Sequence, residues 1–343
     1  MTTPDPNAAA HADSGLYGLD DDPDSAAVVV LPVPFDATCS YGRAAARGPE
    51  AILRASHQVE LLDIEFGEPW KAGIAMLAVD SFDVRENERA RALADRARES
   101  GDAEACSAVD AIAFALDARL AERTAAVLER GGLPVVLGGD HSTPLGAWRA
   151  AASAHAGLGL LHFDAHADLR VAYEGFRTSH ASVVGNALDQ LDGLARVVQV
   201  GLRDLCPEER ARIDGSAGRV RALYDHEWAR ARLVGEDPSA LVRRHLEHLP
   251  QQVWITLDID GLDPSLCPHT GTPVPGGLNW HELALWLREL GRSGRRVIGC
   301  DLVEVAPGPS GAGGDSWDAV VGARVLYRLI ATALRSRGEL SGG

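Results

Sequence analysis

A chain of 343 residues with 46% apolar content has ample material for a core, as one large α/β domain or two smaller ones. Its formal charge of −16 argues against nucleic acid as the main partner. No apolar run reaches the roughly 18 residues of a membrane span, which argues against a membrane partner.

The first 25 residues, "MTTPDPNAAAHADSGLYGLDDDPDS", have neither a basic n-region nor an apolar h-region, so they do not read as a secretory signal. They are predicted to form a polar, acidic, disordered tail, leaving 26–338 as one domain. Cys39, Cys106, Cys206, Cys267 and Cys300 are dispersed without a C-x-x-C pair, as expected of a reduced cytoplasmic protein.

In chain order, strands are predicted at 26–32, 73–79, 133–139, 158–164, 195–201, 219–225, 252–258 and 296–302. Most are continuous apolar runs, the pattern of strands buried on both faces of a parallel sheet. Helical segments lie between them. "GPEAILRAS" places Pro49 in a first turn, and "AVDAIAFALDARLAERTAAVLERGG" is amphipathic and ends in glycine. "NWHELALWLRELGRSG" starts at an Asn279 cap, and "DAVVGARVLYRLIATALRS" closes the chain. The alternation predicts one doubly wound α/β domain. The Gly-rich stretch 306–317 follows a strand and precedes the last helix, so it reads as a loop near a site rather than a linker.

Three polar motifs fall at strand ends, beyond which ligands gather in such sheets. They are "VVLGGDHS" with Asp140 and His141, "HFDAHADLR" with Asp164, His166 and Asp168, and "ITLDIDGLDPS" with Asp258, Asp260 and Asp263. Residues two apart in an extended chain point to the same side, so each motif can converge on one point. A single Asp after a strand is commonly a helix cap, and that reading stays open for Asp140. Caps do not account for all three motifs, because so many carboxylates on one rim need a cation. Carboxylates with imidazoles and no thiolate suit Mn²⁺ best and Zn²⁺ less well. Six such groups exceed the needs of one ion with an open position but suit a pair about 3.5–4 Å apart. His245 and His248 lie on the charged helix "LVRRHLEHL" and read as a solvated face. No G-x-S-x-G occurs, which argues against a serine hydrolase.

"GGDHS", "FDAHADLR" and "DIDGLDPS" together resemble the ureohydrolase family of arginases, agmatinases and related amidinohydrolases, over residues 26 to 336. The resemblance implies a single three-layer α/β/α domain with a central eight-stranded, mostly parallel sheet and two Mn²⁺ per chain. One ion would be held by His141, Asp164, Asp168 and Asp258, the other by Asp164, His166, Asp258 and Asp260. Asp164 and Asp258 would then bridge them. Glu304 in "DLVEVAP" matches the family glutamate that pairs with the guanidinium, and His180 in "FRTSHAS" the histidine that shuttles a proton. The implied chemistry is attack of hydroxide on a guanidinium carbon, with the leaving amine protonated through Asp260 or His180. Trimers or hexamers are also implied.

The loop "LRVAYEGFRTSH" lacks the asparagine and hydroxyl side chains with which arginases hold an amino-acid tail, and it resembles agmatinases instead. Agmatine, cleaved to putrescine and urea, is the first expectation for the substrate. Arg170 is expected to touch the substrate; if it or Arg177 faces inward, a carboxylate tail such as that of 4-guanidinobutyrate or formimidoylglutamate fits better. A larger guanidino compound, or a binder whose metal cluster is structural, are the other readings.

Overall fold

The computed structural model describes residues 6–309 and 316–340. Residues 310–315 of the Gly-rich stretch lie outside the described residues.

All eight predicted strands form: β1 Val28–Val33, β2 Ile74–Met76, β3 Leu133–Gly138 and β4 Leu158–Phe163, then β5 Leu194–Leu202, β6 Val220–Tyr224, β7 Gln252–Asp258 and β8 Arg296–Val303. They make one sheet in the order β2-β1-β3-β8-β7-β4-β5-β6, every pairing parallel. Parallel neighbours need crossovers, and the chain supplies ten helices among the described residues. These are α1 Gly48–Ser56, α2 Ser81–Ser100, α3 Ala103–Glu129, α4 Leu145–Ala154 and α5 Val183–Gln190, then α6 Pro207–Asp214, α7 Asp225–Leu233, α8 Pro238–Leu246, α9 Trp280–Arg292 and α10 Trp317–Ser336.

The helices divide into two layers because strand side chains alternate. Val28, Val30, Val253 and Ile255 pack with α1 and α7 to α10, whereas Val29, Leu31 and Trp254 pack with α2 to α6. Both faces are apolar and covered, which is why the strands read as unbroken hydrophobic runs. Asn279 caps α9 as predicted, accepting from the His281 and Glu282 amides.

The N-terminal segment departs from the predicted disorder. Leu16, Tyr17 and Leu19 are buried in the core beside α1 and α10. Tyr17 donates its hydroxyl to the Ala323 carbonyl and packs edge-on to Tyr327, and Asp21 accepts the Ile74 amide. Three apolar side chains in an acidic stretch were too weak a pattern to read, yet burying them is worth about 1.5–3 kcal/mol each and ties the segment down. His245 also departs from expectation: it is buried against Trp286 instead of solvated.

Strand order decides where the site lies. β3, β8, β7 and β4 are contiguous at the centre of the sheet, and each carries one of the polar segments at its carboxyl end. The β3 and β8 ends are drawn close: the Glu304 amide donates to the Gly139 carbonyl at 2.7 Å. A Cβ on Gly139 would meet the Phe35 carbonyl oxygen at 1.8 Å, so only glycine fits there.

Candidate metal and active site

Asp164 follows β4, Asp258 ends β7, Glu304 follows β8, and His141 stands three residues past β3. These four elements bring Asp164, Asp168, Asp258 and Asp260 together with His141 and His166. The four aspartates and His141 are buried, with 5% exposure or less. Two non-glycine residues here have left-handed backbones, Asp168 (φ 54°) and Glu304 (φ 60°). Such conformations cost on the order of 1–3 kcal/mol, and they aim both carboxylates inward.

The side chains fall into two groups. In the first, Nδ1 of His141 lies 3.0 Å from Asp164 Oδ2, 3.2 Å from Asp168 Oδ2 and 3.2 Å from Asp258 Oδ2. In the second, Nδ1 of His166 lies 3.4 Å from Asp164 Oδ1 and 3.1 Å from Asp260 Oδ2. Asp164 thus presents one oxygen to each group. Asp258 turns Oδ2 toward the first group, and its Oδ1 accepts the Asp260 amide at 2.8 Å, which ties it to the segment that carries the second.

This arrangement tests the fit of a metal. An imidazole nitrogen carries one hydrogen, and a hydrogen bond needs that hydrogen near the donor–acceptor line. Three carboxylate oxygens around His141 Nδ1 cannot all be satisfied by it. A divalent cation among the same four atoms satisfies all of them, and the donor set of oxygens and imidazoles fits manganese.

The electrostatics agree. Burial, then Asp260 and Asp164, push the Asp258 carboxyl well above the usual range, and burial with Asp164 raises Asp168 to about 6. Burial opposes the charged form of both ligand histidines. Hydrogen bonds to Asp164, Asp168 and Asp258 nevertheless hold His141 well above its ordinary value, and Asp260 and Asp164 push His166 up to about 12.

Glu304 faces this cluster. Its Oε1 accepts the His141 amide at 3.0 Å. Burial, then Asp258 and Asp140, push its carboxyl well above the usual range. A Cβ on Gly271 would come within 3.3 Å of Glu304 Oε2, an oxygen whose side-chain donor is the Cys39 thiol at 3.9 Å. Beyond Gly271 lies a cavity of about 620 Å³ lined by Tyr41, Arg43, Arg47, His269 and several prolines.

His180 stands against Thr38 and Tyr173. Its amide donates to Thr38 Oγ1 at 3.1 Å, and Tyr173 stands edge-on to its ring. The residue is partly buried, and burial followed by His166 and His141 lowers its imidazole to about 4. Asp140 is spent on structure, accepting from Ser142 and Thr38, but it does not cap a helix, since α4 has Pro144 at its N-cap and no side-chain cap. Asp263 likewise accepts the Ser265 amide away from the cluster.

Arg170 is not brought to the site. Its guanidinium stacks on Tyr173 at 4.9 Å and lies 3.8 Å from Glu209, a buried carboxylate that draws it away. Arg177 is exposed, and Glu174 pairs with Arg98 rather than with either. The substrate contact expected of Arg170 therefore finds no support in the geometry.

His162, by contrast, was missed. It lies 2.8 Å from Asp164 Oδ2 and is fully buried. The signal was available, because His162 stands two residues before Asp164 and so shares its face.

Comparison with known proteins bears on the whole chain. The sequence model of the arginase family matches residues 26–331. The N(1)-aminopropylagmatine ureohydrolase of Synechocystis sp. is 34% identical over 285 residues, 82% of each chain. That of Thermus thermophilus is 33% identical over 334 residues, 95% of this chain and 97% of the other. The solved structure of agmatine ureohydrolase from Thermoplasma volcanium superposes with a TM-score of 0.69 at 26% identity, covering 93% of this chain and 94% of the other. The chain belongs to the arginase family.

Proposed function

We propose that this chain is a binuclear manganese amidinohydrolase that cleaves a guanidino compound to urea and an amine. The observation that carries the reading is the buried carboxylate cluster converging on His141 Nδ1 and His166 Nδ1, with the Glu304 carboxylate facing it. His141, Asp164, Asp168 and Asp258 would hold one ion, and Asp164, His166, Asp258 and Asp260 the other. When bound, such a pair supplies Lewis acidity and brings the ionisation of water close to neutral pH.

The chain's own groups do the rest. Glu304 is held by the His141 amide through Oε1 and offers Oε2 to a planar cation; a guanidinium meets such a carboxylate with two parallel hydrogen bonds. Asp260, whose Oδ2 accepts from Thr272 at 3.2 Å, and His180 would move a proton toward the departing amine. Burial excludes bulk water, which strengthens each of these interactions.

The substrate we infer is an amine-tailed guanidine, agmatine or agmatine extended by an aminopropyl group. Two relatives above act on N(1)-aminopropylagmatine by name, and the 620 Å³ cavity leaves room for an extended tail. One observation favours a second reading. Arg47 lines that cavity with no ion pair among the described residues, which suits a carboxylate tail such as that of 4-guanidinobutyrate. Urea release by the manganese-loaded protein decides between them, measured with agmatine, N(1)-aminopropylagmatine, arginine and 4-guanidinobutyrate. An amine-tailed compound leading in kcat/KM supports the first reading, and 4-guanidinobutyrate in the lead replaces it with the second. Failure to release urea from any, with two manganese ions bound, refutes hydrolysis of small guanidines.

A further inference from the structure

Beneath the acidic cluster, a row of fully buried polar side chains crosses the middle of the sheet. Gln199 of β5 pairs in register with His162 of β4, His162 with Thr256 of β7, and Thr256 with Asp301 of β8. All four have no solvent exposure. They stand on the face covered by α2 to α6, one side-chain step below Asp164 and Asp258. Polar groups in that position are costly unless each has a defined partner, so their hydrogen bonds define a direction.

At the β8 end the direction is fixed. Asp301 Oδ2 accepts two indole N–H groups, from Trp148 at 2.9 Å and Trp254 at 2.6 Å, and Oδ1 accepts the Thr256 hydroxyl at 2.7 Å. Indoles only donate, so Asp301 meets both as an acceptor. Fold features maintain the contact. The β7–β8 register shifts between Val253 and Trp254, setting Trp254 opposite Gly299, where a Cβ would sit 2.1 Å from the indole ring.

Thr256 has one hydroxyl hydrogen, and Asp301 takes it. The same oxygen lies 2.9 Å from His141 Nε2, so it must accept there, and His141 carries its hydrogen on Nε2. Nδ1 is then the nitrogen free to trade its proton for a cation, and it is the one among Asp164, Asp168 and Asp258.

We propose that Asp301, acting through Thr256, is a positioning residue that fixes the Nε2–H form of His141 and thereby directs Nδ1 to a metal ion. This rests on the metal reading above. Outer groups of this kind orient ligand histidines generally, and their loss costs about 10–100-fold in metal affinity. Asp301→Asn is nearly isosteric but reverses the relay: its amide oxygen can still accept the indoles while its NH₂ donates to Thr256. The Thr256 hydroxyl then points at Nε2, and Nδ1 keeps its hydrogen. Thr256→Val removes the relay, and Thr256→Ser preserves it.

Equilibrium dialysis of manganese against the full chain, with metal counted per chain, tests this without reference to activity. The wild type is expected to bind two ions. Asp301→Asn and Thr256→Val are expected to weaken one of the two by about 10–100-fold, leaving the other within about threefold, while Thr256→Ser matches the wild type. Should Asp301→Asn fail to fold, the Val and Ser variants at 256 carry the test alone. Two wild-type ions with unchanged affinities in Thr256→Val overturn the relay. Equal weakening of both sites, or failure of Ser to rescue, also overturns it, since a packing defect would act that way. A wild-type chain that binds no manganese overturns the metal reading itself.

Discussion

Replacing Glu304 by glutamine separates the catalytic reading from a structural one, because the two predict opposite signs. The substitution keeps shape, and the left-handed backbone at φ 60° is no harder for Gln than for Glu. An amide oxygen can still accept the His141 amide now bound at 3.0 Å. What changes is the Oε2 position, which becomes an NH₂ and opposes the N–H groups of a guanidinium. Breaking a buried ion pair on one side costs about 3–5 kcal/mol. At about 1.36 kcal/mol per decade, that is a loss of roughly 150- to 5,000-fold in kcat/KM.

Stability should move the other way. The folded-state pKa of Glu304 is raised, so its carboxylate destabilises the metal-free fold increasingly as pH rises above the ordinary carboxylate range. Without metal at pH 8, Glu304→Gln is expected to unfold at or above the wild-type temperature and, once loaded, to bind manganese normally. Steady-state urea release, calorimetry and metal analysis read the three quantities. Turnover within tenfold of wild type, or loss of metal, refutes the assignment of Glu304 as the guanidinium partner.

Asp164→Ala removes the one side chain that meets both histidines, so both ions and all measurable urea release should be lost; retention of either ion by metal analysis would contradict the shared role. His180→Phe should lower kcat by about 10²–10⁴-fold with both ions retained, and a change confined to KM would make His180 a binding residue only. Chelation should lower the melting temperature. An ion present at 100 times its Kd contributes about 2.7 kcal/mol, and a 343-residue chain with an unfolding entropy of about 2.1 cal/mol/K per residue loses roughly 4 °C per ion. Asp117, far along α3, has its carboxyl pushed up to about 8 by burial. Its folded pKa is raised, so stability falls as pH climbs from about 4 to 8; Asp117→Asn should be more stable than wild type at pH 9 and equal to it below pH 4, as read by urea unfolding midpoints. An equal difference at both pH values would mean packing, not ionisation.

The sheet was legible because each strand is buried on both faces and so appears as an unbroken apolar run. Even the three-residue strand Ile74–Met76 lies within a predicted segment. The cluster was legible for a different reason: Asp164, His166 and Asp168, or Asp258 and Asp260, repeat with the two-residue period of an extended chain at the point where a strand ends. Where a side chain's role depends on partners from distant elements, that period carries nothing. Arg170 reads as an active-site cation until Glu209, nearly forty positions away, is seen to draw it off. Asp301 reads as one polar residue in "RVIGCDL", and nothing local announces that two indoles and a threonine from two other elements close on it. His162 and Thr256 stand at the same two-residue offset before Asp164 and Asp258. That repeated offset was visible, and it carries a physical rule for sequences of this kind. A polar residue two positions before a strand-end ligand, inside an otherwise apolar run, shares the ligand's face and is buried one step beneath it. Its cost of burial must be met by a hydrogen bond, and the atoms within reach are those of the ligands above and the neighbouring strands beside it.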